Sequence, residues 1–163
     1  MSDISQNVRE RIEESNNPQQ DAIDSILEGW QGERGDFIFP IIEGPPGTGK
    51  TRVGVLSAAR YVLEYNRSQI AYLTYTNYSA EKTREDFTAL GFDPEHVVRL
   101  TSNPREKDRR RGIIGCGSRL EGLTENDKRI LRRAPILIST LYGSGRIFEV
   151  HKRPLIMIDE FSQ

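Results

Sequence analysis

Two length scales of apolar patterning run along this chain. Short, dense apolar runs recur at Phe37 to Ile42, Gln69 to Thr74, Val97 to Leu100, Ile136 to Thr140 and Leu155 to Ile158. They are too short for helices and too continuously apolar for strands with one wet face, so they predict strands covered on both sides. Between them, apolar residues return at three- and four-residue spacing. Ala22, Ile23, Ile26 and Leu27 form one such stripe, and Val53, Val55, Leu56, Ala59, Val62 and Leu63 form another. These stripes, with Ala80 to Leu90 and Glu125 to Arg133, predict helices. Strands alternating with helices specify an α/β fold with a mainly parallel sheet.

Punctuation refines the boundaries. Asn17 is a good N-cap with Pro18 at the first helical position, and Gly29 is expected to stop that helix. Gly91 closes the helix begun at Ala80, and Pro135 and Pro154 introduce the last two strands. Residues 3–15 read as a charged helix with little apolar face, expected to be peripheral. Residues 101–123 are polar, basic and glycine-punctuated, and read as a connection. Gly143 and Gly145 mark a turn.

Length and charge change this picture only locally. The 163 residues are enough for one domain with a real core. A net charge of −1 conceals a split, because acidic residues dominate up to residue 98 and basic ones dominate residues 99–133. That basic middle, which includes Arg109-Arg110-Arg111, is either a solvated face or an anion-binding one. No apolar run is long enough to cross a bilayer and the polar N-terminus lacks a signal-peptide core, so an intracellular protein with no membrane partner is expected. A single cysteine, Cys116, excludes an internal disulfide and reads as an inert thiol. His96 and His151 lie too far apart for zinc-ligand spacing and read as surface or turn residues.

The chemistry concentrates after the first apolar run. Gly44-Pro45-Pro46-Gly47-Thr48-Gly49-Lys50-Thr51 fills every constrained position of the phosphate-binding pattern G-x-x-x-x-G-K-[ST], with a predicted strand before it and a helix after it. The glycines let the backbone turn its N–H groups inward as an anion nest, and the helix adds its positive end. Lys50 supplies a compact charge for the β and γ phosphates, and Thr51 a hard oxygen ligand for Mg²⁺. With Arg52 adjoining, this is a nucleoside-triphosphate site. The last apolar strand ends in Asp159-Glu160. Beside a phosphate loop, such a tip supplies an aspartate that holds Mg²⁺ and a glutamate that orients and deprotonates the attacking water.

Taken together, these motifs resemble the first RecA-like domain of superfamily-one helicases, in the branch of the nonsense-mediated-decay RNA helicase and the senataxin-type helicases. Asp159-Glu160-Phe161-Ser162-Gln163 is similar to that branch's D-E-x-x-Q motif, with Phe161 where smaller residues are commoner. Asn17-x-x-Gln20 resembles its upstream glutamine motif, which reads adenine. Thr76-Asn77-x-Ser79-Ala80 is similar to motif Ia and Ser139-Thr140-Leu141-Tyr142-Gly143 to motif Ic. The resemblance implies ATP and Mg²⁺ as cofactors, Lys50, Asp159, Glu160 and Gln163 as catalytic residues, and single-stranded DNA or RNA gripped at Thr76, Asn77, Thr140 and Gly143. Thr76 and Asn77 could equally cap the next helix, and Thr140 and Gly143 could be plain turn residues.

The expected organisation is an N-terminal helical extension over 1–16, then a partial RecA-like three-layer domain over 17–163 with a short basic insertion at about 101–133. In the family a further strand follows the D-E-x-x-Q motif, and a second RecA-like domain supplies arginines to the site. The 163 residues are therefore expected to be a piece of a longer or split helicase, binding nucleotide weakly when alone. The loop sequence is also frequent in AAA+ ATPases, and a non-catalytic nucleotide-sensing module is the remaining alternative.

Overall fold

The computed structural model describes residues 2–31, 40–65, 69–102, 111–117, 120–152 and 154–159. Five strands form one sheet in the order β3 (Ile113–Gly115), β2 (Val97–Thr101), β4 (Ile136–Thr140), β1 (Ile70–Thr74) and β5 (Leu155–Ile158). All neighbours run parallel. Ile70 lies opposite both Ile136 and Leu155, and Leu73 opposite both Ser139 and Ile158. This register lines up the strand ends, so residues 75–77, 102, 141–143 and 159 leave from one edge of the sheet. In parallel α/β sheets that edge is where ligands sit.

Side-chain alternation divides the strands between two cores. Ile70, Tyr72, Val97, Ile136 and Ile138 face α1 (Ser2–Glu13), α2 (Asn17–Gln31), α3 (Lys50–Glu64) and α4 (Asn77–Ala89). Ala71, Leu73, Val98, Leu100 and Leu137 face Leu131 of α5 (Glu125–Arg133) and Ile147 of α6 (Gly145–Val150). The result is the expected α/β fold, with helices on both faces of a parallel sheet. It is consistent with a RecA-like phosphate-loop domain.

Several local expectations need correction. The helix over residues 3–15 is not peripheral: Val8 is 2% exposed, Ile4 and Ile12 pack beside it, and Asn7 Nδ2 donates to Leu90 O at 3.1 Å. Its apolar stripe has only these three members at four-residue spacing, enough to seat one face on α3. The cap of α2 is Asn16 rather than Asn17. Asn16 Oδ1 accepts from Gln19 N at 3.0 Å and Gln19 Oε1 accepts from Asn16 N at 3.3 Å, a reciprocal pair that satisfies two end donors. Gly29 does not stop α2, which runs on to Gln31 with Gly29 buried inside it, since one glycine costs a helix only about 1 kcal/mol.

The connection over 101–123 contains β3, and the Gly143/Gly145 turn leads into α6. Pro40 to Ile42 form no strand, and Ile41 is 79% exposed. Strand backbone needs a neighbour for its hydrogen bonds, and these residues pair with none of the five strands. Phe37 to Phe39 lie outside the described residues.

His151 is not a surface residue. It is 2% exposed at the end of α6, with Nε2 2.9 Å from Leu131 O at the end of α5, so it ties the two helices together. Its Nδ1 is buried without a partner. Burial pushes the imidazole pKa down, and the Leu131 carbonyl only partly offsets this. A base depressed on folding stabilises the native state most above its ordinary value, 6.5, and withdraws that stability as pH falls toward its folded pKa. Urea midpoints should therefore fall as pH drops below 6.5, and His151→Gln should flatten that decline. An unchanged pH profile in the variant would contradict this.

Candidate functional site

The phosphate loop turns through two left-handed glycines, Gly47 at φ +80° and Gly49 at φ +83°, before entering α3. Gly49 caps α3 with no side-chain hydrogen bond, so no side chain competes for the first amides of the helix. Thr48 Oγ1 donates to Pro45 O at 2.8 Å, and Lys50 Nζ donates to Gly44 O at 2.7 Å and Pro45 O at 3.0 Å. The ammonium thus closes the loop on itself. Among the described residues Thr51 Oγ1 has no hydrogen-bond partner.

Asp159 follows β5 directly, its N–H donating to Leu73 O at 2.9 Å. By alternation it shares a face with Met157, the α3 face. The link to α3 is Tyr72, fully buried, whose hydroxyl reaches Asp159 Oδ2 at 3.5 Å. The same hydroxyl sits 2.7 Å from where a Cβ on Gly54 would stand. Gly54 is one turn beyond Thr51, so the acidic strand tip and the start of α3 meet around one tyrosine. Glu160 and Gln163 lie outside the described residues.

The glutamine expectation shifts by one position. Gln20 Nε2 donates to Ser15 O at 2.8 Å and Glu13 O at 3.2 Å, which holds it to the α1–α2 turn. Its neighbour Gln19 donates to Thr48 O at 3.0 Å and approaches Gly49 so closely that a Cβ there would lie 2.6 Å from its Nε2. Asn17 is exposed in the first turn of α2. Arg52 turns away from the loop, donating to Arg11 O at 3.0 Å. Its position follows from helix geometry: two residues past Lys50 is the opposite side of α3.

Thr76, Asn77, Thr140 and Gly143 do come together. With Tyr75, Leu100, Thr101, Ser102, Tyr142 and Arg146 they line a cleft of about 420 Å³ at the same sheet edge. Thr76 caps α4, its Oγ1 accepting from Ser79 N at 3.0 Å, so the capping role is filled. Asn77 Oδ1 accepts from Arg99 Nη2 at 3.1 Å, which leaves the amide's donor end pointing elsewhere. Arg99 also pairs with Glu81 at 2.8 Å, and Glu81 pairs with Arg84 at 2.8 Å, whose Nη1 donates to Arg111 O at 2.7 Å. Burial pushes the Glu81 carboxyl up, but the hydrogen bonds from Arg84 and Arg99 outweigh it and hold its pKa below the ordinary value. Gly143 is sterically required, since a Cβ there would stand 2.5 Å from Ser139 Oγ.

The described α5 part of the basic middle does not line this cleft. Arg129 and Arg133 of α5 line a depression with Glu95 and His96, which precede β2 and so lie at the opposite edge of the sheet. Residues 103–110, with Arg109 and Arg110, are outside the described residues. Cys116 is buried, which raises its thiol pKa.

A family model described as "Type III restriction enzyme, res subunit" matches residues 13–161. The chain belongs to this family. No curated protein and no solved structure gave a match. The matched span covers the phosphate loop, both cleft turns and Asp159-Glu160, and stops before Gln163. ResIII is a helicase-superfamily ATPase domain.

The ResIII chain's own residues suit the magnesium nucleotide that such domains use. Uncapped α3 amides and the Lys50 ammonium match phosphate oxygens, and the unpartnered Thr51 hydroxyl and the Asp159 carboxylate match a hard divalent ion. A bound magnesium triphosphate would supply an electrophilic terminal phosphorus, and these groups would help neutralise the negative charge on its oxygens. Sequence reasoning had not singled out Tyr72, Gly54 or Gln19. The signals were a glycine inside a helix and a tyrosine inside a buried strand, both marks of close approach.

Gly54→Ala should improve helix propensity by about 1 kcal/mol. The clash with Tyr72 Oη should reverse that and lower stability by roughly 1–3 kcal/mol in urea unfolding. Adding Tyr72→Phe should recover much of the loss, whereas a stabilised Gly54→Ala chain would contradict the packing described.

Proposed function

We propose that this chain is the ATP-binding and hydrolysing domain of a nucleic-acid helicase or translocase. The observation that carries the reading is the convergence of two sites on one sheet edge. The loop with Lys50 and Thr51 meets Asp159 through Tyr72, and the cleft of Thr76, Asn77, Thr140 and Gly143 opens beside it. β1 ends in the Thr76 turn and pairs with β5, which ends in Asp159, so a shift at one strand tip is felt at the other.

In this reading Lys50 and the α3 amides hold the β and γ phosphates of ATP. Thr51 and Asp159 hold Mg²⁺, Glu160 takes the proton from the attacking water, and Gln163 senses the terminal phosphate. Gln19, docked on the loop at Thr48, is better placed than Gln20 to report on an occupied loop. Single-stranded DNA or RNA lies across the cleft, and a second RecA-like domain completes the site and converts hydrolysis into stepping. The run Asp159 to Gln163 favours the superfamily-one branch of the nonsense-mediated-decay and senataxin-type helicases. A protein with these ligands is intracellular.

Calorimetric titration with ATP and Mg²⁺ tests the first half. Lys50→Ala should weaken binding at least about tenfold, or 1.4 kcal/mol, and Thr51→Ala should remove the dependence on Mg²⁺. Lys50→Ala binding as tightly as the wild type would overturn the assignment. In a protein that includes the second RecA-like domain, Glu160→Gln should keep nucleotide affinity but lose at least about a hundredfold in strand-stimulated hydrolysis. A nucleotide sensor would have no hydrolysis to lose.

A further inference from the structure

Among the described residues that line the cleft only one carries a formal charge, and it belongs to none of the motifs. Arg146 sits in the first turn of α6 and lines the cleft together with Thr76, Ser102 and Thr140. Its Nη1 lies 3.4 Å from where a Cβ on Gly143 would stand, so the guanidinium rests against bare backbone at the turn. Glu149 follows one helical turn later, yet among the described residues Arg146 takes part in no ion pair or hydrogen bond. No carboxylate lines the cleft among the described residues, while Thr76, Ser102 and Thr140 bring hydroxyls from the ends of three different strands. Tyr142 is 89% exposed and Tyr75 41% exposed at the rim.

That composition discriminates between ligands. A divalent cation needs anionic oxygens, and the described lining offers none. An acidic peptide presents clustered charge, whereas the described lining holds a single cation. One phosphodiester carries one negative charge and several acceptor oxygens, which a planar guanidinium and hydroxyls satisfy together. The exposed tyrosine rings at the rim suit unstacked bases.

We propose that Arg146 is the phosphate-gripping residue of this cleft, binding one backbone phosphate of a single strand between Thr140 and Ser102 while Tyr142 stacks on an adjacent base. The assignment rests on the nucleic-acid reading above and adds to it the residue that carries the electrostatics.

Fluorescence anisotropy with labelled oligodeoxythymidylate and oligouridylate, across a range of salt concentrations, tests it. Arg146→Gln should weaken binding of both by roughly tenfold at low salt and reduce the slope of log affinity against log salt by about 0.7, the value of one single-strand phosphate contact. Arg146→Lys should restore most of the slope. Tyr142→Ala should weaken binding without changing the slope, because stacking releases no counterions. Far-ultraviolet circular dichroism of each variant checks that it folds. If the wild-type chain binds and Arg146→Gln matches it in affinity and slope, this assignment fails while the nucleic-acid reading survives. If the wild-type chain shows no salt-dependent binding to either strand, both fail.

Discussion

A tyrosine hydroxyl buried in the middle of a sheet has to find a polar partner, and the one Tyr72 finds organises the site. Its ring is sealed between β1 and α3, edge-on to Phe87 at 5.9 Å, and no water reaches it. The hydroxyl points toward Asp159 at the tip of β5, reaching Oδ2 at 3.5 Å. Leaving such a group unpaired would cost about 1–3 kcal/mol. The fold can meet that requirement only if β5 lies beside β1 and α3 crosses over both. Gly54 makes the crossing possible, because any side chain there would occupy the space of the hydroxyl. The separation of the acidic tip from the phosphate loop thus follows from packing rather than from any contact with ligand.

The loop itself is held differently. It is exposed from Ile41 to Thr48 and gains its shape from local bonds: the Lys50 ammonium and the Thr48 hydroxyl on its carbonyls, and Gln19 on Thr48 from outside. A phosphate arriving here offers Lys50 anionic oxygens in place of neutral carbonyls, a charge-assisted exchange. The two parts of the site accordingly have different stiffness, one buried and packed, the other a hydrogen-bonded turn on the surface. The two parts of the sheet edge are joined by β1, whose Tyr72 faces Asp159 and whose end leads into the Thr76 turn.

Much of this was legible before the structure. β1, β2, β4 and β5 coincide with dense apolar runs because a parallel sheet buries both faces, and α5 begins at the Thr124–Asp127 capping box. The phosphate loop needed no structure to be recognised. What escaped were elements whose signal is weaker than their surroundings. β3 has three residues inside a basic, glycine-rich stretch, and only Ile113 and Ile114 betray it. α6 is six residues long and starts at a glycine. The exchange of Gln20 for Gln19 follows from the cap falling on Asn16, since one residue of slip rotates a helix by about 100°. Arg146 carried no motif, and only the register of β4 beside β1 and β2 brings it to one cleft with Thr76 and Ser102.

The account stands on one ion shared between the start of α3 and the tip of β5. The most direct measurement is a crystal structure with Mn²⁺ and a non-hydrolysable ATP analogue, locating the metal by its anomalous signal. A single peak bound to Thr51 Oγ1, with Asp159 reaching it directly or through one water, is the predicted result. A metal held by the phosphates alone, with Asp159 out of reach of it, would contradict it.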